Sequence, residues 1–231
     1  MNKNKPANKS VENSFKELVD VVAKLRGPNG CPWDKEQNQK SLVKYILEEA
    51  FEVAEAIESE SQSEICEELG DYLFQVVLQA QIAQESGNFH LSDVIESITT
   101  KMIRRHPHVF ADTQVSDTEE VKKNWEIIKA NEKAQKSQGK QGTQLFSYPK
   151  NLPALMAASK IGHKTAGYAF DWHTPEQVLA KVHEEISELN EALEHKDITH
   201  IEHEIGDILF SVAQLARHLK LDPEHSLREA N

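Results

Sequence analysis

Positive charge is what this sequence most lacks. Its 26 Lys and Arg stand against 38 Asp and Glu, a formal net charge of -12 at pH 7. Phosphate backbones are bound through a surplus of cations, so stable nucleic-acid binding is not expected. Long apolar runs are missing too. Nothing approaches the ~20 residues that span a bilayer, and residues 1–10 are polar and lysine-rich without an apolar signal core, so no membrane partner is expected. The only cysteines, Cys31 and Cys66, form no paired-ligand spacing and no disulfide framework. That fits a reducing compartment, and the expected location is cytoplasmic. With 9 Gly, 8 Pro and no recognisable strand or hairpin pattern, the composition favours helices.

What the sequence has instead is a repeated acidic pattern. Glu48, Glu49, Glu52, Glu55, Glu68, Gly70 and Asp71 recur as Glu184, Glu185, Glu188, Glu191, Glu204, Gly206 and Asp207, every position displaced by 136 as from Glu48 to Glu184. Repetition with identical internal spacing predicts two related halves in a chain of 231 residues. Each half is small enough that its core calls for a partner surface. The expected division is a flexible tail over 1–10, a first domain over 11–136 with a C-terminal helical extension, a polar linker over 137–152, and a second domain over 153–231.

Apolar periodicity predicts helices over Val11–Arg26, Lys40–Glu58, Ser63–Gln84, Leu91–Arg105 and Thr118–Lys133 in the first half. In the second it predicts Ala154–Thr165, Pro175–Glu194, Ile198–Leu219 and a last helix beginning near Pro223. The turn Gly27–Pro32 must break the first of these. On the second, Leu47, Ala50, Phe51, Ala54 and Ile57 form an apolar arc nearly opposite Glu48, Glu49, Glu52 and Glu55. The third repeats the division, with Ile65, Leu69, Tyr72, Val76 and Ala80 against Glu64, Glu67, Glu68 and Asp71. Gly70 and Gly206, costly inside a helix by about 1 kcal/mol relative to Ala, imply a close approach by a neighbour.

Carboxylates three positions apart share a helix face one turn apart, as Glu49 and Glu52 do, and Glu68 and Asp71. A single such helix reads as a solvated face. Two successive helices carrying the pattern, in both halves, leave room for a cation between them. Carboxylates are hard donors that suit Mg²⁺ or Mn²⁺, whereas di-iron bundles use Glu-x-x-His, and no His here has a Glu three residues before it. His200 and His203 read as surface histidines, since no Cys or third convergent His accompanies them. Lys101, Arg104 and Arg105 close a helix, where they either compensate its dipole or hold phosphate oxygens. Trp33 and Trp172 follow turns ahead of the acidic helices and either stack on a base or fill a core. Lys24 and Lys160, before those turns, are weaker candidates.

Taken together, Gly30-Cys31-Pro32-Trp33-Asp34, Glu48-Glu49-x-x-Glu52 with Glu68-x-x-Asp71, Arg104-Arg105-His106-Pro107-His108-Val109-Phe110, Leu152-Pro153-Ala154-Leu155, Phe170-Asp171-Trp172, and Glu184-Glu185-x-x-Glu188 with Glu204-x-x-Asp207 resemble the MazG family of all-α nucleoside triphosphate pyrophosphohydrolases. The resemblance runs from Phe15 to Asn231. It implies tandem helical-bundle repeats completed by homodimerisation, and Mg²⁺-dependent hydrolysis of (d)NTPs to the monophosphate and pyrophosphate in nucleotide-pool house-cleaning or regulation. It further implies metal ligands Glu49, Glu52, Glu68 and Asp71 in the first half, and Glu185, Glu188, Glu204 and Asp207 in the second. Glu48 and Glu184 lie beside the ligand faces, where they orient water, assist a second metal or stay solvated. Trp33, Lys101, Arg104, Arg105, Lys160 and Trp172 are the substrate-binding candidates.

Two expectations complete the reading. The second half stops before counterparts of Lys101, Arg104 and Arg105, so its carboxylates lack a basic complement unless the first half or another subunit supplies one. The rival to an enzyme is a non-catalytic helical interaction or regulatory module whose acidic faces bind a cation or a basic partner.

Overall fold

The computed structural model describes residues 9–137 and 151–231, and among them every regular element is a helix. The expected all-α class therefore holds. Most of the linker expected over 137–152, and residues 1–8 of the expected tail, lie outside the described residues. The chain forms two compact units, Met1–Lys136 and Ser137–Asn231.

The first unit contains α1 (Val11–Arg26), α2 (Pro32–Glu36), α3 (Val43–Glu58), α4 (Gln62–Glu85), α5 (Leu91–Arg105), α6 (Pro107–Phe110) and α7 (Thr118–Ser137). Ser10 caps α1 by accepting from the Asn13 amide. The short helices α2 and α6 were not foreseen, although Pro32 and Pro107 each stand in the first helical turn, where a missing N–H costs nothing. Helix α3 starts three residues later than Lys40. Asn38 Oδ1 accepts from the Lys40 and Ser41 amides and holds that stretch in a turn. At the other end α7 runs on to Ser137.

Helices α3 and α4 form a hairpin through residues 59–61, with Glu60 in the left-handed region at φ 58°. The core gathers Val22, Leu42, Val77, Leu78 and Ile82, with Phe15, Leu18, Tyr45 and Phe74 against it. Arg26, at the end of α1, reaches the Asp34 and Gln37 carbonyls and grips the Glu85 carboxylate at 2.7 Å. One guanidinium thus ties the α2 turn to the end of α4.

The second unit contains α8 (Ala154–Ala166), α9 (Pro175–His195), α10 (Ile198–His218) and α11 (Pro223–Ala230). Lys196, at φ 56°, closes α9, and Asp197 caps α10 through the Thr199 and His200 amides. Helix α8 lies close on α10 at Gly162, where a Cβ would stand 1.8 Å from Gln214 Oε1. Gln214, fully buried, donates to the Ala158 carbonyl at 2.7 Å.

Two expectations about faces need correction. The packed side of α3 runs through Leu42, Tyr45, Ile46, Glu49, Val53 and Ala56, so Glu49 belongs to the face turned toward α4. Leu47, Phe51 and Ile57 of the apolar arc are exposed, as are Leu69, Tyr72 and Val76 of α4. The acidic groups split between the two sides because a carboxylate is tolerated inside when it has company to satisfy it. Gly70 and Gly206 are the second correction: beyond the helix's own backbone, nothing among the described residues lies within 4 Å of a Cβ built on either, so neither marks a close approach within the described chain.

Candidate metal centres

In the first unit the α3–α4 hairpin brings Glu49, Glu52 and Glu68 together, with one carboxylate oxygen of each within 4.8 Å of the others. Glu49 is half-buried and accepts from Gln75 Nε2 at 3.3 Å. Burial raises the Glu49 carboxyl above its usual range despite that bond, and the charges of Asp71, Glu52 and Glu48 add to the rise. Glu68 is raised for the same first reason, with Glu52 and Asp71 next. Asp71 itself stands outside the trio on an exposed position, near enough for its charge to be felt by both. The cluster holds more negative charge than its surroundings compensate.

The second unit repeats the trio with Glu185, Glu188 and Glu204. Here the carboxylates sit deeper, Glu185 at 5% and Glu204 at 4% exposure. Lysine and histidine side chains accompany them. Lys181 Nζ lies 2.7 Å from Glu185 and 3.0 Å from Glu184, and both carboxylates raise its proton affinity. His200 Nε2 lies 2.9 Å from Glu204 Oε1, and His203 Nδ1 3.1 Å from Asp207 Oδ2. Asp207 enters through a second trio with His203 and Glu204. Glu188 is raised by burial and then by Glu185. The other oxygen of Glu204, Oε2, is buried with no hydrogen-bond partner among the described residues.

These donors fit a hard divalent ion. A buried carboxylate with one oxygen unpartnered among the described residues, grouped with two further carboxylates, is a position that a cation satisfies, and oxygen donors suit hard divalent ions over soft metals. His200 and His203 contribute more than their surface reading foresaw. Their spacing of four residues before Glu204 and Asp207 was the signal.

The remaining candidates are spread out. Glu48 and Glu184 are exposed beside the trios, Glu184 held by Lys181. Arg104 Nε donates to Glu132 Oε1 at 2.8 Å and Arg105 Nη2 to Oε2 at 2.7 Å, so both guanidiniums already share a carboxylate of α7. Arg105 first, then Arg104, hold Glu132 down at about 2. Nothing in the first reading singled out Glu132, which lies 27 residues beyond Arg105 in sequence. Lys101 is half-buried and Lys160 exposed. Trp33 is 48% exposed, which removes the core alternative for it, and it meets Tyr45 edge-on at 5.7 Å. Trp172 is half-buried and edge-on to His218 at 6.4 Å.

Residues 37–110 and 173–230 match the family model described as the MazG nucleotide pyrophosphohydrolase domain. Both trios fall inside the matched segments. Over 216 residues the chain is 45% identical to the nucleoside triphosphate pyrophosphohydrolase/pyrophosphatase MazG of Thermotoga maritima, covering 94% of this chain and 80% of that protein. Over 222 residues it is 46% identical to the nucleoside triphosphate pyrophosphohydrolase of Escherichia coli K12, covering 95% and 83%. A crystal structure of a MazG-related protein from Thermotoga maritima aligns with half of this chain and 98% of its own (29% identity, TM-score 0.43), a likeness too loose to place any residue.

Proposed function

The chain belongs to the MazG nucleotide pyrophosphohydrolase family, and on that basis we propose that it hydrolyses (d)NTPs to the nucleoside monophosphate and pyrophosphate. Water attacks the α-phosphorus, the bond to the bridging oxygen of the β-phosphate breaks, and pyrophosphate leaves. The observation that carries the reading is the convergence, in each half, of two carboxylates from one helix and one from the next within 4.8 Å. The proposed ligands of Mg²⁺, with Mn²⁺ as a substitute, are Glu49, Glu52, Glu68 and Asp71 in one half and Glu185, Glu188, Glu204 and Asp207 in the other. When bound, the ion neutralises triphosphate charge and makes the attacking water easier to ionise.

The chain's own side chains do the rest. Glu48 and Glu184, beside the trios and open to solvent, take up the proton of the attacking water. Arg104 and Arg105 pass from the Glu132 carboxylate to phosphate oxygens, a like-for-like exchange of one anion for another, with Lys101 a turn away. Trp33 and Trp172 offer ring faces to the base, and Lys160 a further cation for phosphate. Lys181 pairs with Glu184 and Glu185 and holds both carboxylates in place.

The apolar arcs left exposed, including Phe51 at 41%, Leu69 at 49%, Ile205 at 46% and Leu209 at 52%, support a homodimer in which a second copy covers them. Sedimentation equilibrium should then give twice the chain mass of 26.2 kDa. The proposed setting is the cytoplasm, and the proposed role is clearing or regulating the nucleotide pool. Turnover in ¹⁸O-labelled water tests the reaction itself. Label must appear in the monophosphate, and label in pyrophosphate or orthophosphate alone would refute attack at the α-phosphorus.

A further inference from the structure

The two halves repeat their carboxylates but not what stands behind them. In the second, His200 precedes Glu204 by four residues and His203 precedes Asp207 by four, and each imidazole lies against the carboxylate that follows it, at 2.9 Å and 3.1 Å. The first half has Glu64 before Glu68 and Glu67 before Asp71, like charges at the same spacing. One half therefore positions this carboxylate pair with donors, and the other with repulsion.

Glu204 shows what the difference does. Its side chain is 6% exposed, so a contact to its carboxylate is far less screened than a surface pair. Oε1 faces His200, with His203 Nδ1 further off at 3.5 Å, while Oε2 is buried with no hydrogen-bond partner among the described residues, and one of the two oxygens lies within 4.8 Å of carboxylate oxygens of Glu185 and Glu188. A carboxylate only accepts, so the imidazole nitrogen facing it carries the proton. With Oε1 held by the imidazole, rotation of the carboxylate is restricted, and the group is kept in place beside Glu185 and Glu188. Outer partners of this kind fix a ligand's orientation before the metal arrives.

We propose that His200 and His203 are positioning residues for a divalent cation in the second half, holding Glu204 and Asp207 in ligating orientation without binding the ion themselves. The inference rests on reading the second trio as a metal site. It also makes the two halves unequal in how far each is ordered before the cation binds.

The test uses the full chain carrying Glu52→Ala, which removes a first-half ligand, with Mn²⁺ as the probe, fixed pH and binding followed by electron paramagnetic resonance. His200→Ala should weaken Mn²⁺ binding by about 10-fold or more. His200→Gln, which keeps an N–H donor, should stay within about 3-fold of the parent, and helical content without metal should be the same in both. His203→Ala should weaken binding by a smaller factor, since its side chain is 71% exposed. Unchanged binding in His200→Ala overturns the proposal, as does a His200→Gln loss as large as the alanine variant's. Pulsed-resonance coupling of ¹⁴N to Mn²⁺ also overturns it, because the imidazole would then be a ligand. If the Glu52→Ala parent binds no Mn²⁺ while turnover still requires a cation, the second trio is no site, and the proposal falls while the reaction stands.

Discussion

Arg217 holds Asp171 by both carboxylate oxygens, Nη1 to Oδ2 at 2.9 Å and Nη2 to Oδ1 at 2.5 Å, with His218 Nε2 3.1 Å from Oδ1. This bidentate pair fastens the turn ahead of α9 to the end of α10. Arg26 does the corresponding work in the first unit from the other side, with its cation on α1 and the carboxylate of Glu85 on α4. The two repeats keep the job and exchange the residues.

Asp171→Asn tests that fastening. Arg217, 6% exposed along its side chain, would lose a charged acceptor. A loss on the order of 2 kcal/mol is expected, below the range for fully buried pairs because Asp171 remains 20% exposed and partly screened. Arg217 holds the Asp171 carboxyl at about 2 against an ordinary 3.8. A depressed folded value means the stabilisation is present above 3.8 and is lost as pH falls toward about 2. Hydrogen exchange of the α10 amides should show wild type and variant far apart at pH 7 and converging in acid. A constant gap would contradict the assignment.

Three glycines should respond oppositely to alanine. At Gly162 the new methyl meets Gln214 Oε1 at 1.8 Å and Arg217 Nε at 2.5 Å, so Gly162→Ala should destabilise α8 against α10 by about 1–3 kcal/mol. Gly70→Ala and Gly206→Ala meet nothing within 4 Å and should stabilise their helices by up to about 1 kcal/mol. Urea unfolding of the three variants decides it, and a destabilised Gly206→Ala would show that something outside the chain presses on that face.

Much of this was legible in the sequence and some was not, for physical reasons. Helices were readable because their apolar periods are long, and the bounds of α1 and α5 emerge unchanged. Glu49, Glu52 and Glu68 were readable as a group because i, i+3 spacing fixes relative position on a helix. Which way that group faces was not, since α3 half-buries Glu49 and exposes Phe51, and hydrophobicity alone argues the reverse. Glu132 was invisible because nothing local joins α7 to Arg105. Gly162, rather than Gly70 or Gly206, is where two helices come close, and only the partner side chain, Gln214, reveals it.

Glu132 makes a separate prediction. In a Glu188→Ala background, which leaves the first site to be read, Glu132→Gln should lower KM for a triphosphate by about 5-fold, the scale of one net hydrogen bond of about 1 kcal/mol, since the glutamine oxygen still accepts. The value of kcat should stay within about 2-fold. A raised KM would mean that Glu132 orients the arginines for phosphate rather than occupying them.

On the proposed mechanism the convergent carboxylates support pyrophosphate release. Wild-type protein with Mg²⁺ and a mixture of triphosphates should form pyrophosphate and monophosphate one to one. Glu52→Ala with Glu188→Ala should cut the rate by ~100-fold or more at unchanged helical content. Orthophosphate as the sole product, or pyrophosphate formed at the wild-type rate by the double variant, would contradict the account.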